Sequence, residues 1–409
     1  MEACFGISAP NSLHRLDPAH TVHRSPRHPS EGLLPGDRPL RVLHLCAGNL
    51  YGGIETMLMT LVRNRERCPG MESEFLLCFP GRFEDELRAA GGRVHRVPEV
   101  RIRHPWTILT ARRELGRILG LEGFDVALAH GNWQQAVFGP VVRRRIPKLV
   151  HFLHNPLEPR SWLARWARRT PIDLMVANSR FVAASAGLGY PGIPVGVCHC
   201  PVEPVSAAGS EKERIETRAE HRTSKDEVVI VQASRMEEWK GLRVHVEALG
   251  RLRDLPGWVS WIAGGAQLER ERQFFQEVQD RAVALGIADR IRFLGQRKDV
   301  HRLFAAADIH CQPNTGPEPF GIAFVEALYA GLPVVTSNFG GGAEIVDASC
   351  GILTPPGDVD AVATALRLLI TDPARRRQLG RHGASRAATI SDPGRQLEVL
   401  RRLLSGGGG

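Results

Sequence analysis

Residues 308–336 constrain the fold of this chain more than any other stretch. Asp308 to Gln312 reads as a short apolar strand, and the chain then breaks into a loop, Pro313 to Pro319, rich in proline with Asn314 and Gly316. A helix is predicted from about Gly321 to Ala330. Gly331 stops it, and Pro333 leads into another apolar strand. Strand–loop–helix–strand is the repeating unit of a parallel sheet, where ligands sit beyond the carboxyl ends of the strands. Glu318 lies in the loop and Glu326 almost two turns into the helix. The helix start offers free N–H groups from about Phe320 to Ile322. Together these groups could hold two ends of one polyhydroxylated ligand. Spacing alone fits equally well a capping Glu318 and a solvated Glu326.

The same alternation runs along the rest of the chain. The strand Arg41–Cys46 meets a loop containing Gly52 and Gly53, which let backbone amides approach a ligand at a helix start or simply make a tight turn. Asp125–His130 is a strand with His130 at its carboxyl end, which fits either a cleft-facing group or a core imidazole. Lys148–Leu153 ends at His154, and Asp173–Ala177 ends at Asn178 and Ser179, the latter a helix cap. Further on, Glu227–Ala233 runs into Arg235 and Lys240. Two cations at a strand–loop–helix junction suit a diphosphate, since each neutralises a phosphate and the helix dipole adds to the field. Val259–Ala263 ends at Gly264 and Gly265, and Ile291–Leu294 at Gly295-Gln296-Arg297.

At 409 residues the chain is long for one domain and comfortable for two. We expect a disordered tail over 1–38 and a first Rossmann-like domain over 39–200. A linker with the first helix of the second half follows over 201–224, then a second Rossmann-like domain over 225–388. A terminal helix crossing back, with a glycine tail, closes the chain over 389–409. The tail histidines His14, His20, His23 and His28 are too flexibly spaced for a metal site. The eight cysteines are scattered with no C-x-x-C, which points to a reduced, cytoplasmic protein. A net charge of +9 invites an anionic partner. Few aromatics interleave with the basic residues, so nucleic acid is not expected.

Trp162, Leu163 and Trp166 share one helical face ringed by arginines, the pattern of a helix resting on the inner face of an anionic membrane, or of an ordinary amphipathic helix packed on the sheet. Gly187 to Gly192 spells G-x-G-x-x-G, but it follows a helix and precedes a strand, so it is rejected as a dinucleotide fingerprint. Cys198-His199-Cys200 lacks a second ligand pair and is expected as a strand entering the linker.

Glu318 and Glu326, an E-x7-E pair around Phe320-Gly321, resemble the signature of retaining glycosyltransferases of family 4. Ser234 to Gly241 and Gly340 to Glu344 continue the resemblance, which covers roughly residues 40–400; one departure is Ser234, where relatives commonly carry glycine. The resemblance implies an α/β GT-B fold, with two Rossmann-like parallel-sheet domains facing a cleft. It implies a UDP-, GDP- or ADP-sugar as co-substrate, a hydroxyl acceptor, no permanently bound cofactor and no metal. By the same resemblance Glu326 binds the ribose hydroxyls, Arg235 and Lys240 hold the diphosphate, and Glu318 with the Phe320, Gly321 and Ile322 amides holds the donor sugar. His130 contacts donor sugar or acceptor. Gly52 and Gly53 face the phosphates or acceptor across the cleft, the loop with Arg297 packs around the base, and Gly264 permits close backbone approach to the nucleotide sugar. Two alternatives share the architecture: a non-catalytic sugar-nucleotide-binding protein and a sugar-nucleotide 2-epimerase.

Overall fold

Runs such as Val228–Ala233 (VVIVQA) and Trp258–Ala263 are apolar on both faces, so they need helices covering both sides of a parallel sheet. The computed structural model, which describes residues 38–49, 51–204, 211–266 and 268–406, contains two such sheets. The first comprises β1 (Leu40–Leu45), β2 (Met71–Leu77), β3 (Arg93–Arg96), β4 (Val126–Ala129), β5 (Lys148–Leu153), β6 (Leu174–Ala177) and β7 (Val195–Val197), in the order β3-β2-β1-β4-β5-β6-β7. The second comprises β8 (Val228–Ala233), β9 (Trp258–Ala263), β10 (Ile291–Gly295), β11 (Ile309–Gln312), β12 (Val334–Ser337) and β13 (Gly351–Thr354), in the order β10-β9-β8-β11-β12-β13. Every pairing is parallel. This is the two-sheet GT-B arrangement expected from the sequence.

The strand order locates the binding crevices. In the first sheet the order reverses between β1 and β4, and in the second between β8 and β11. Crevices open beyond the carboxyl ends at such reversals. The loops there carry Gly52 and Gly53 after β1, His130 after β4, Arg235 and Lys240 after β8, and Glu318 after β11. Topology thus gathers segments that are far apart in sequence.

The last helix, Pro393–Ser405, returns to the first sheet. Leu397, Leu400 and Leu404 are at most 2% exposed, each burial contributing about 1.5–3 kcal/mol. Lys148 Nζ donates to the carbonyls of Leu403 and Leu404 at 3.2 and 2.9 Å, a cation satisfying the open C-terminal turn. Asp392 pairs with Arg67 at 2.9 Å. Cys198–Cys200, expected as strand, lies outside the sheet because β7 ends at Val197; Cys198 instead donates its thiol to the Gln396 carbonyl. The rejected glycine run forms a short 3-10 turn, Ala186–Leu188, and a loop. The seven cysteines among the described residues are buried and unbridged. The expected tail, apart from Arg38, lies outside the described residues with its histidines, as do linker residues 205–210 and the closing glycines 407–409.

Candidate functional site

Glu318 sits between β11 and the helix Ile322–Tyr329, and its residue is 8% exposed. Lys240 closes the 3-10 turn Glu238–Lys240 after β8. Its ammonium meets Glu318 Oε2 at 2.6 Å, with side chains 14% and 11% exposed. Gln312 Nε2 and Asn314 Nδ2 donate to the same oxygen at 3.2 and 3.3 Å. Three donors therefore converge on Oε2, while Oε1 has no partner among the described residues. The ammonium also lies 4.0 Å from the centre of the Trp239 ring, an attraction that further fixes it.

Two glycine contacts hold this geometry. Gly241 has φ +75°, and a Cβ there would stand 1.8 Å from the Pro313 carbonyl oxygen. The turn carrying Lys240 can press onto the β11 loop only without a side chain. On the opposite side, a Cβ on Gly340 would stand 2.7 Å from the Glu318 carbonyl oxygen, and Gly341 donates its N–H to that same oxygen at 2.7 Å. The Glu318 loop is thus clamped from both flanks.

The N–H groups of Phe320, Gly321 and Ile322 donate to no acceptor among the described residues, so three donors stand free at a helix start. Glu326 lies further along the same helix without a side-chain partner among the described residues. Burial pushes its carboxyl up to about 7.

Arg235 pairs with Glu237 at 3.4 Å and with Glu271 at 3.0 Å, and is 49% exposed. It flanks the same loop as Lys240 but stays solvated. Gly264 allows the β8 and β9 loops to converge, since a Cβ there would stand 1.9 Å from the Ser234 carbonyl oxygen. Arg297 pairs with Asp299 at 2.8 Å and Glu220 at 3.3 Å, so its guanidinium is already engaged.

Across the cleft, a Cβ on Gly53 would approach the Ile322 methyl to 3.6 Å, which brings the glycine loop of the first sheet onto the helix Ile322–Tyr329. Ser179 donates to the Pro319 carbonyl at 2.6 Å. Both oxygens of Glu344 accept the N–H groups of Arg180 and Phe181, at 3.0 and 2.6 Å. Burial acts to raise the Glu344 carboxyl; His199 and those two amides outweigh it and hold the group below the usual range. His130 is 2% exposed, and both its ring nitrogens are taken, by His44 and His154. It is enclosed between them; His154, just after β5, is the more exposed of the two at 8%.

The description "Glycosyltransferase Family 4" fits residues 51–205, and "Glycosyl transferases group 1" fits residues 213–386. The chain belongs to the family 4, group 1 glycosyltransferases. A phosphatidyl-myo-inositol mannosyltransferase of Mycobacterium leprae is 41% identical over 111 residues, 26% of this chain but only 30% of the relative's length. A GDP-mannose-dependent alpha-(1-6)-phosphatidylinositol monomannoside mannosyltransferase of Mycolicibacterium smegmatis is 27% identical over 320 residues, 73% of this chain and 80% of the relative. The Anabaena protein HepE, solved in complex with UDP and glucose, shares the fold at TM-score 0.77 and 23% identity, over 90% of this chain and 99% of that one.

Sequence reasoning on this glycosyltransferase missed Gln312 and Asn314 as partners of Glu318, and His44 as a partner of His130. Gln312 and Asn314 carry a signal in hindsight: polar side chains at i and i+2 leaving a buried strand must find a partner. His44 carries none, because its contact depends on strand order.

Proposed function

We propose that the chain transfers a sugar, with retention and without a metal, from a nucleoside-diphosphate sugar to a hydroxyl acceptor. One observation carries this reading: Lys240, Glu318 and the free Phe320–Ile322 amides converge at the β8/β11 reversal. Departure of the nucleoside diphosphate is the demanding step, and it needs preorganised positive charge. Lys240 and Arg235 would supply it with the helix-start amides. Glu318 Oε1 and those amides would hold the donor sugar, and Glu326 the ribose. Neither carboxylate serves as a covalent nucleophile, in contrast to the pair in retaining glycosidases. Gly52, Gly53 and Gly264 would line the approaches, His130 would support the acceptor side, and the Arg297 backbone would face the base. The domain limits given above remain part of this proposal. Turnover of a donor panel separates it from an idle binder, and from an epimerase, which needs no acceptor.

Removing the ribose contact tests the donor site. Glu326→Ala should weaken nucleoside-diphosphate binding roughly ten- to a hundredfold, as for loss of a charged hydrogen bond, measured by calorimetry. Unchanged affinity in the folded variant would remove Glu326 from the site. The pH dependence has a definite sign. Ribose hydroxyls donating to the carboxylate favour its ionised form, so affinity should rise as pH climbs through about 7. Glu326→Gln should lose that component. Protein stability moves the other way: the raised folded-state value means stability is lost as pH rises from the ordinary carboxylate range through about 7.

We infer a peripheral membrane contact for the helix Trp162–Ala167. Trp162 is 45% exposed and lies 6.3 Å from the Trp166 ring, and with Arg165 and Arg169 they line an open pocket. Ala164 and Ala167 bury the opposite face. No described helix is long and apolar enough to cross a membrane. Binding to anionic vesicles should weaken with salt and in the Trp162→Ala, Trp166→Ala double variant. A sedimentation assay showing no binding at low salt would overturn this contact.

A further inference from the structure

Three imidazoles form a continuous buried row across β1, β4 and β5. Ser73 Oγ lies 3.2 Å from His44 Nε2, and His44 Nδ1 lies 2.9 Å from His130 Nε2. His130 Nδ1 in turn lies 2.9 Å from His154 Nε2. Phe75 and Phe152 stack on the row, and among the described residues no carboxylate bonds to any of the three rings. Burial lowers His44 and His154 to about 3 and His130 well below its ordinary value, so all three are neutral near pH 7. A neutral imidazole has one donor nitrogen and one acceptor nitrogen. Each nitrogen–nitrogen contact must therefore pair an N–H with a bare nitrogen, and only two complete patterns satisfy the row. Either all three rings carry the proton on Nδ1 and Ser73 donates, or all three carry it on Nε2 and Ser73 accepts.

His154 is 8% exposed and its Nδ1, the free end of the row, is not among the buried unpaired atoms. Its carbonyl accepts from Asn178 at 3.1 Å, and the neighbouring Ser179 bonds to Pro319, directly after Glu318. The end of the row therefore stands at the rim that meets the donor loop. We propose that Ser73, His44 and His130 are positioning residues that fix, as one unit, the tautomer His154 presents to a substrate hydroxyl at the cleft. This rests on the glycosyl-transfer reading for the identity of the hydroxyl, but not for the relay. A lone surface imidazole changes its proton site freely; here the change at His154 requires a concerted change at His130 and His44 and a turn of the Ser73 hydroxyl. In either pattern the rim presents the donor or the acceptor that the whole row sets, which discriminates between hydroxyl orientations.

The experiment is nitrogen NMR of the full chain labelled with 15N-histidine, with His44, His130 and His154 assigned by single substitution. The wild type should show one shared tautomer for all three rings. In His44→Phe, an Nε2–H on His130 would face a ring with no acceptor, so His130 and His154 should both carry the proton on Nδ1. Ser73→Ala, a milder change should the first variant fail to fold, should place all three protons on Nδ1 for the same reason. Rings of differing tautomer in the wild type would overturn the relay, as would a His154 that disagrees with His130 in either variant. The readout needs no turnover, so it can fail while glycosyl transfer stands, and the reverse.

Discussion

Lys240→Ala is expected to lower kcat and kcat/KM together, by about two to three orders of magnitude, as for loss of one transition-state donor. The ammonium is fixed before substrate arrives by Glu318 at 2.6 Å and by the Trp239 ring at 4.0 Å. A fixed charge in a largely buried site needs little reorganisation as the leaving group gains charge, which is where its value grows. Loss of the ammonium also leaves Glu318 with only Gln312 and Asn314 as donors. An imperfectly paired buried carboxylate costs about 1–3 kcal/mol, so some loss of melting temperature should accompany the kinetic effect. Lys240→Arg should recover only part of the rate, because a planar fork replaces a compact charge. An unchanged kcat with a raised KM alone would take Lys240 out of the transition state.

Gly241→Ala should destabilise the chain by about 2–5 kcal/mol, combining a left-handed backbone with a forced overlap. The overlap is with backbone: the added Cβ would stand 1.8 Å from the Pro313 carbonyl oxygen, at φ +75°. No rotamer change relieves it. The β8 turn must retreat from the β11 loop, and Lys240 with it, so nucleotide binding should weaken alongside a melting temperature lowered by roughly 5–15 °C. A variant as stable as the wild type would show that this turn does not need the close approach.

Much of this architecture is written locally. Period, flanking glycines and strand-end cations fix where β8, β11 and their loops lie, because each depends on neighbours within a few residues. Glu318 and Lys240 were each singled out by their place in the sequence, yet their mutual ion pair spans 78 residues and follows from β8 lying beside β11. The same holds for His130. Its place at a strand end was readable, but its two ring partners come from β1 and the end of β5, neighbours set by strand order. Arg297 shows the same limit: its place in the loop after β10 was readable, whereas its ion pair with Glu220 of the helix Glu211–Glu220 spans 77 residues and depends on the fold. Glu344 was legible as part of a motif, whereas its grip on the Arg180 and Phe181 amides depends on how the two halves meet.

Product analysis tests acceptor-dependent transfer with retained configuration most directly. Purified protein would be incubated with UDP-, GDP- and ADP-sugars and a panel of hydroxyl acceptors in chelator, with nucleoside diphosphate release followed and the product's anomeric coupling read by proton NMR. Diphosphate release should require acceptor, persist in chelator and be lost in Lys240→Ala, with the donor's anomeric configuration kept in the product. Inverted product, or conversion of the nucleotide sugar to an epimer without acceptor, would contradict it.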